Sequence, residues 1–376
     1  MTNNVSRRQF VELSGLVVAG LGLVGCGGGS ASSSSDSIKV GIMGPFSGDV
    51  AQYGIACRNG AQLYFKQLNE KGGVNGKQID MDVQDEKGDA TEAVSVYNKL
   101  VQDGVTAIVG DVTSTPTIAV AQASVTDNMP CVTASATAAD VITFGSNYFR
   151  ACITDPFQGK VMADFAAKQG YKTVGTIYNS GGDYEVGEQG YPAGATDFNG
   201  QLTSIIADNP DAILAPNYYQ DNGKIVTQAR KLGYKGVFLG ADGWAGIIGG
   251  DQDYASAEDL EGCFYDTSFS ASNTSSSVQD FVKAYTDEYG EAPTNFCALG
   301  YDAAAIMAAG LEAAEKSGES AGSDAYKQAV IDGIASAKVS GVTGDISYSG
   351  TGDPVKSTLI ITFKDGKEEI FDTIDA

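Results

Sequence analysis

The feature that most constrains the fold is a regular alternation of short apolar segments with segments of helical periodicity. Apolar runs of four to eight residues predict strands, and apolar residues three and four apart predict amphipathic helices. The first half of the chain gives strand 38–43, helix 54–71, strand 78–84, helix 90–103, strand 107–109, helix 116–127 and strand 130–133. Strands and helices in this order predict a parallel sheet with helices on both faces.

A second series of the same kind follows. It consists of strand 173–178, strand 212–215, helix 223–232 and strand 236–239, after a predicted connecting strand at 149–153. The chain continues with apolar residues 262–265, helices 277–289 and 298–316, and a hairpin of 357–363 and 368–374. We therefore predict two similar α/β lobes, joined by several crossings and enclosing a cleft in which a ligand binds.

Length, charge and composition limit the classes of function that the chain can have. A length of 376 residues predicts two to three domains. The chain has 24 Lys and Arg against 47 Asp and Glu, a net charge of −23, which would repel a phosphate backbone and excludes nucleic acid as a partner. Histidine is absent, which removes the commonest general base, the usual hydrolase triads and most zinc sites. We expect no catalytic residues, no metal and no cofactor.

The N-terminal segment predicts export. Arg7 and Arg8 precede an apolar stretch at 13–24, which is too short to span a bilayer and indicates a signal peptide over 1–25. The stretch ends in Leu-Val-Gly-Cys, which resembles the lipobox of bacterial lipoproteins and predicts lipidation of Cys26. A chance cysteine after an ordinary signal is the alternative, and the twin-arginine and general export routes both stay open. Residues 26–37 have the Gly/Ser composition of a flexible tether.

Five other cysteines remain in the exported chain. Their number is odd, so they cannot all pair within one chain, and they lack the spacing of a metal site. We interpret most of them as small buried hydrophobic residues; they are Cys57, Cys131, Cys152, Cys263 and Cys297.

Candidate ligand-binding residues follow the strands of the first lobe. Loops at the carboxyl ends of parallel strands carry binding sites, and helix N-termini there offer free N–H groups. Residues 44–48 lead to Tyr53, residues 110–114 end at Ser114, and residues 134–137 contain Ser135 and Thr137. The hydroxyl groups have an alternative role as helix N-caps. Two hydroxyl-bearing helix starts on neighbouring strands are suited to holding a carboxylate.

The equivalent strand ends of the second lobe carry an acid and several aromatic residues. Segments 183–184, 217–219 and 241–244 supply Tyr184, Tyr218, Asp242 and Trp244. A carboxylate and aromatic rings opposite a carboxylate-binding surface predict a site for a zwitterion with an apolar side chain. The alternatives are core packing for Tyr218 and Trp244, and turn formation for Asp242.

A series of motifs along the chain resembles one known family. After the lipobox, the motifs IKVGIMGPFSGDVAQYG, IVGDVTS, VTASATA, GGDY, PDAILAPNYY, GVFLGADGW and ALGYDA occur in order. Together they resemble the leucine/isoleucine/valine-type solute-binding proteins of ABC importers over residues 38–376. The resemblance implies a type I periplasmic-binding fold, with two Rossmann-like lobes, parallel sheets and three hinge crossings around an interlobe cleft. The implied lobes are 38–152 with 268–346, and 153–267 with 347–376.

The resemblance also implies roles for individual residues. Three would bind the ligand carboxylate: Ser114, Ser135 through its backbone, and Thr137. Asp242 would pair with the ligand ammonium group. Three aromatic residues would line the side-chain pocket and cover the ligand: Tyr53, Tyr184 and Tyr218.

One region departs from the family. Only residues 179–185 separate the strand at 173–178 from the apolar segment at 186–191, and a parallel crossover needs about a dozen residues or more. A crossover helix is therefore missing near 179–186. We predict that 186–191 either pairs antiparallel or leaves the sheet, that the second lobe is less stable than in relatives, and that Tyr184 is the site residue most affected.

The predicted function is a monomeric, lipid-anchored receptor on the extracytoplasmic face of the cell membrane. It would capture a neutral amino acid, branched-chain or otherwise hydrophobic, and deliver it to the permease and ATPase subunits of an ABC importer. The alternative is a sensory protein that reports an amino-acid-like or amide ligand to a signalling partner. A secreted enzyme is the third possibility, against which stand the missing histidine and the lack of G-x-S-x-G and G-x-x-x-x-G-K motifs.

Overall fold

The first sheet is built from the segments that the strand–helix alternation predicted. In the computed structural model, which describes residues 37–180, 189–249 and 252–375, five parallel strands have the order β2-β1-β3-β4-β5. Their bounds, with those of the connecting helices, are β1 Ser37–Gly44, α1 Ala51–Glu70, β2 Gln78–Asp85, α2 Ala90–Gln102, β3 Ala107–Val109, α3 Ser114–Ser124, β4 Cys131–Thr133 and β5 Tyr148–Arg150. The segment predicted as a connecting strand is thus the edge strand of this sheet.

The second sheet repeats the pattern and ends in a hairpin. Its first part comprises α4 Asp155–Gln169, β6 Val174–Asn179, β7 Gln189–Tyr191, α5 Asn199–Ala207, β8 Ala212–Leu214, α6 Tyr219–Lys231, β9 Val237–Gly240, α7 Ala257–Leu260 and β10 Phe264–Thr267. Strands β6 to β10 are parallel, in the order β10-β9-β8-β6-β7. Helices α4 and α5 lie within segments for which the sequence analysis proposed no element.

The rest of the chain returns to both sheets. It contains α8 Ser276–Tyr289, α9 Asn295–Ser317, α10 Asp324–Ser336, β11 Lys338–Gly341, β12 Gly344–Tyr348, β13 Pro354–Val355, β14 Thr358–Lys364 and β15 Lys367–Ile374. Strands β11, β12 and β13 form a small antiparallel sheet of their own. The predicted hairpin is confirmed: β14 and β15 pair antiparallel, and β14 pairs antiparallel with β10.

Both predictions for the segment that ends at Tyr191 are wrong. Strand β7 pairs with β6 in parallel, with Ile177 opposite Gln189 and Asn179 opposite Tyr191. The physical reason is that β7 pairs only with the last residues of β6. Between β6 and β7 the chain therefore has to move back along the strand direction by only about two residues, roughly 7 Å, and not by the length of a whole strand. Residues 181–188, which include Tyr184, lie outside the described residues, as do the predicted signal peptide, Cys26 and the tether up to residue 36.

Three segments carry the chain between the two lobes. They are residues 151–154 between β5 and α4, residues 268–275 between β10 and α8, and residues 356–357 between β13 and β14. The predicted boundary at 346/347 falls inside β12, so we propose 356–357 in its place. Lys356 links two of the crossings, because its buried Nζ donates to the carbonyl oxygen of Ala151 at 2.9 Å.

The core of the first lobe depends on close contact between α1 and α9. Gly60 and Gly300 face the partner helix: a Cβ at Gly60 would lie 2.0 Å from the carbonyl oxygen of Cys297, and one at Gly300 would lie 2.1 Å from that of Cys57. Within the described part of the chain, α9 alone has the length and apolar composition of a membrane span, and it is mostly buried here between α1 and α10. The five cysteines are all buried and free, which agrees with the interpretation of most of them as small buried hydrophobic residues.

The narrow edge of the second sheet leads to a prediction about its stability. Among the residues that the structure describes, three residue pairs join β7 to β6, whereas eight join β2 to β1. We expect the amides of Val174–Asn179 to exchange at least about tenfold faster than those of β1, as local opening there costs less free energy. Hydrogen exchange followed by mass spectrometry measures this. Equal protection of the two strands would contradict the prediction of a less stable second lobe.

Candidate functional site

A small cavity lies between the two lobes and collects most of the predicted site residues. We call it the cleft cavity. Its lining comes from the ends of β3, β4, β8 and β9 and from the first turns of α1 and α9. The lining residues are Tyr53, Val112, Thr113, Ser135, Thr137, Tyr218, Asp242, Gly243 and Phe296. The structure thus brings together Tyr53, Ser135, Thr137, Tyr218 and Asp242, five of the seven predicted binding residues.

The first-lobe side of the cavity consists of two loops that are bonded to each other. The Ser135 hydroxyl donates to the carbonyl oxygen of Val112 at 2.8 Å, so its side chain supports the neighbouring loop. The Ser114 hydroxyl accepts from the N–H of Ala138 at 3.2 Å. Ser114 is buried and is not among the lining residues, whereas its neighbour Thr113 is; a ligand-binding role for Ser114 stays a prediction.

Arg150 holds this pair of loops in place. Its fully buried guanidinium donates from Nη1 to the carbonyl oxygens of Ala136 and Ala138, at 2.8 and 3.0 Å, and its Nε lies 2.7 Å from an Asp353 carboxylate oxygen. Thr137 lies between the two carbonyl groups, so Arg150 fixes the backbone that presents it. Sequence analysis missed this role, although a single arginine inside an otherwise apolar strand was a usable signal.

We expect Arg150→Met to lower the free energy of unfolding by about 2 kcal/mol, because two buried carbonyl groups and Asp353 lose a charged partner. Urea unfolding measures this change. Lys160→Met is the matched control, since Lys160 and its partner Asp164 are both exposed and such a pair contributes less than about 1 kcal/mol. Equal effects of the two substitutions would show that Arg150 does not hold the loops.

Asp242 is the acidic group of the cavity. It begins a single 3-10 turn after β9 and is 6% exposed. Burial, and next the negative charge of Asp155, raise the pKa of its carboxyl group to about 7, while hydrogen bonds from Gln158 and from the Gly243 backbone act in the opposite direction. A cation placed beside this carboxyl group would favour its ionised form and lower its pKa, so the position suits a positively charged ligand group.

Aromatic rings fill the remaining walls. The Tyr53 ring stacks on Phe296 with centroids 4.0 Å apart and meets Tyr218 edge-on at 5.3 Å. The Tyr53 hydroxyl donates to the carbonyl oxygen of Gly243 at 2.6 Å, which joins the first lobe to the second. Phe296 was not predicted from the sequence. Trp244 proves to be a core residue, fully buried, with Nε1 donating to the carbonyl oxygen of Ala215 at 2.8 Å.

The cleft cavity is narrow. Its volume is about 10 Å³, which is room for about one water molecule. A ligand with the size of an amino acid therefore requires the lobes to move apart, or Tyr53 and Phe296 to move, before it enters.

A comparison with known families decides where this arrangement belongs. The model of the family described as periplasmic binding protein matches residues 37–185 and 179–367, nearly the whole described chain. The chain belongs to this periplasmic binding protein family. The family consists of substrate-binding proteins.

Relatives and solved structures agree with the family. The chain is 28% identical over 335 residues to the Leu/Ile/Val-binding protein BraC3 of Rhizobium johnstonii, covering 84% of this chain and 88% of the relative. It is 28% identical over 344 residues to a leucine-, isoleucine-, valine-, threonine- and alanine-binding protein of Pseudomonas aeruginosa, covering 86% and 89%. The structure of the branched-chain amino acid transporter substrate-binding protein LivJ of Streptococcus pneumoniae, in complex with isoleucine, matches with a TM-score of 0.80 and 30% identity, covering 90% of this chain and 99% of LivJ.

Proposed function

We propose that this periplasmic binding protein captures a neutral amino acid with an apolar side chain in the cleft cavity and delivers it to an ABC importer. The observation that carries the proposal is the placement of Asp242 in the same cavity as Ser135 and Thr137. A buried acid on one side and two loops with polar groups on the other match the two charged ends of a zwitterion. Relatives named for binding leucine, isoleucine and valine support this choice of ligand.

Each residue has a defined role in the proposed complex. The ligand ammonium group pairs with Asp242. The ligand carboxylate accepts from the Thr113 and Thr137 hydroxyls and from backbone N–H groups, including those of Ser135 and of Ser114 at the N-terminus of α3. Tyr53, Tyr218 and Phe296 contact the apolar side chain, and Tyr184 remains the proposed cover of the ligand on the second lobe.

Closure of the lobes connects binding to transport. A ligand that contacts both lobes binds the closed form more tightly and shifts the population toward it. In the structure, the Tyr53–Gly243 hydrogen bond joins the two lobes across the cleft. A permease can then distinguish the loaded receptor from the empty one by shape. For an amino acid of about nine heavy atoms, we expect a binding free energy near −8 kcal/mol, a micromolar Kd.

The exported location also forms part of the proposal. Cleavage before Cys26 and lipidation of its thiol would hold the receptor at the outer face of the cell membrane, with residues 26–37 as the tether. We further propose that the receptor is a monomer and that permease and ATPase subunits are its partners. Radiolabelled palmitate incorporation into the wild-type protein, and its loss in Cys26→Ser, tests the anchor.

A thermal-shift panel of amino acids tests the ligand class. At a hundred times its Kd, a ligand adds about 2.7 kcal/mol to the stability of the protein. We expect leucine, isoleucine and valine to raise Tm and lysine and glutamate to leave it unchanged, because a second charge would have no partner among the rings. A panel in which no neutral amino acid raises Tm would contradict the proposal.

The raised pKa of Asp242 predicts a pH dependence of binding. The protonated carboxyl group cannot pair with an ammonium ion, so affinity for leucine should fall as pH decreases below about 7, by up to about tenfold per pH unit, and level off above it. Calorimetry at pH 5, 6, 7 and 8 measures the profile. In buffers of different ionisation enthalpy, binding near pH 6 should release about one proton. A constant Kd over this range would show that Asp242 does not pair with the ligand.

A further inference from the structure

A second cavity, on the hinge side of the lobes, has the features of a binding site. We call it the hinge cavity, defined by Ile248, Tyr265, Phe269, Ser270, Asn295 and Glu368 among its lining residues. Its volume is about 270 Å³, far larger than the cleft cavity. We propose that the hinge cavity binds a small organic ammonium ion that carries a second polar group, such as an amino alcohol or a diamine. This inference goes beyond the proposed function of the cleft.

Both lobes contribute to the hinge cavity. Asn295 is the first residue of α9, and Phe269 lies in the crossing that connects β10 to α8. Tyr265 lies on β10, Glu368 lies at the start of β15, and Ile248 lies in the segment after the Asp242 turn. A molecule bound here would therefore contact both lobes.

Asn295 supplies the first independent sign of a ligand. The residue is 4% exposed and lines the cavity, yet neither its side-chain oxygen nor its side-chain nitrogen has a hydrogen-bond partner. A buried amide without partners is costly, and native structures rarely leave one. Its oxygen can accept from an ammonium group, and its nitrogen can donate to a hydroxyl group.

Glu368 supplies the charge. Its carboxylate accepts from the Tyr265 hydroxyl at 2.9 Å. Burial raises the pKa of this carboxyl group to about 7, and the hydrogen bond from Tyr265 opposes the rise. Lys367 also lines the cavity and is exposed to solvent, and no basic group among the described residues is a cause of the shift in the Glu368 pKa. A partly buried carboxylate whose hydrogen-bond donor is neutral is suited to binding a cation. The volume of the hinge cavity suits a small one.

The other walls limit the ligand to a small amphipathic molecule. Ile248, Phe269 and Pro293 provide apolar surface for a short alkyl chain. An anion would meet Glu368, and a purely apolar molecule would leave Asn295 without partners. A primary ammonium group can donate to the Glu368 carboxylate while a second polar group of the same molecule bonds Asn295. A hydroxyl group can bond either the side-chain nitrogen of Asn295 or its oxygen, and a second ammonium group can donate to its oxygen.

The test is calorimetric titration of the protein at pH 7.5 with ethanolamine and, separately, with putrescine, at matched ionic strength. Ethylene glycol is the neutral control. We expect one of the two cations to bind with 1:1 stoichiometry and ethylene glycol to give no heat. Glu368→Gln and Asn295→Ala should each weaken binding by about tenfold or more, because each removes a hydrogen bond to the ligand and Glu368→Gln also removes the charge.

Two further variants identify the site. Glu369→Gln removes the adjacent exposed acid and should leave the Kd for the cation unchanged, which excludes attraction by the acidic surface in general. Asp242→Asn should change the Kd for the cation by less than about threefold, which excludes binding in the cleft cavity. Absence of binding by both cations overturns the proposal. So does binding that Glu368→Gln leaves unchanged, and so does binding that Asp242→Asn abolishes.

Discussion

Asp242→Asn is expected to weaken leucine binding by at least about thirtyfold. The substitution keeps the shape of the side chain and removes the charge that pairs with the ligand ammonium group inside a buried cavity. Loss of one partner of a buried, hydrogen-bonded charge pair costs about 2–5 kcal/mol, which corresponds to a factor of about 30 to several thousand in Kd. Calorimetry with leucine at pH 7.5 measures the change.

The same substitution should stabilise the protein without ligand. The pKa of Asp242 is raised in the folded state, so its stabilising effect is complete below the unfolded-state pKa, near 4, and is lost as pH rises through about 7. At pH 8 the folded protein therefore contains an unfavourable buried charge, which asparagine lacks. We expect Asp242→Asn to unfold at a higher temperature than wild type at pH 8 and to lose this advantage at pH 4.

Asp280→Asn provides the control, since Asp280 is an exposed carboxylate on α8. It should change neither leucine affinity nor Tm by a measurable amount. If Asp242→Asn binds leucine within threefold of wild type, the assignment of the ammonium site is wrong. Weak binding together with raised stability is the combination that only a functional buried charge explains.

Gly300→Ala is expected to lower the free energy of unfolding by about 3 kcal/mol. The added methyl group would lie 2.1 Å from the Cys57 carbonyl oxygen, which belongs to helix backbone and cannot move aside. Helices α1 and α9 would have to separate, and both start at the cleft, where they carry Tyr53 and Phe296. We therefore expect weaker leucine binding in addition to the lower stability, measured by urea unfolding and calorimetry.

Gly159→Ala is the matched control, with an effect of opposite sign. Gly159 lies on the exposed face of α4, where an added Cβ would meet nothing within 4 Å. Alanine is the better helix former by about 0.5–1 kcal/mol, so this variant should be more stable than wild type. If Gly300→Ala also proves neutral or stabilising, the contact between α1 and α9 is looser than the structure shows.

The repeating part of the fold could be predicted from the sequence. Strands in parallel α/β sheets are short apolar runs and their helices are amphipathic, so the strand at 107–109 and the hairpin at the C-terminus were located within a residue or two. The strand ends that carry Thr137 and Asp242 followed from the rule that sites lie at the carboxyl edge of such a sheet.

Other features depend on contacts between distant residues. The parallel pairing of β7 is possible because β7 covers only the last residues of β6, and no local sequence pattern indicates the length of that overlap. Thr113 rather than Ser114 lines the cavity because of the direction in which helix α3 begins. Phe296 reaches the cleft because Gly60 and Gly300 let α9 approach α1, so its role appears only when both helices are placed.

The most direct test of the account is a crystal structure of the protein with L-leucine. We predict that leucine lies between the lobes in a widened cleft cavity, with its ammonium nitrogen within about 3 Å of the Asp242 carboxylate. Its carboxylate should face the backbone and hydroxyl groups of Thr113 and Thr137. Leucine bound outside the cleft, or bound with its carboxylate toward Asp242, would contradict the account.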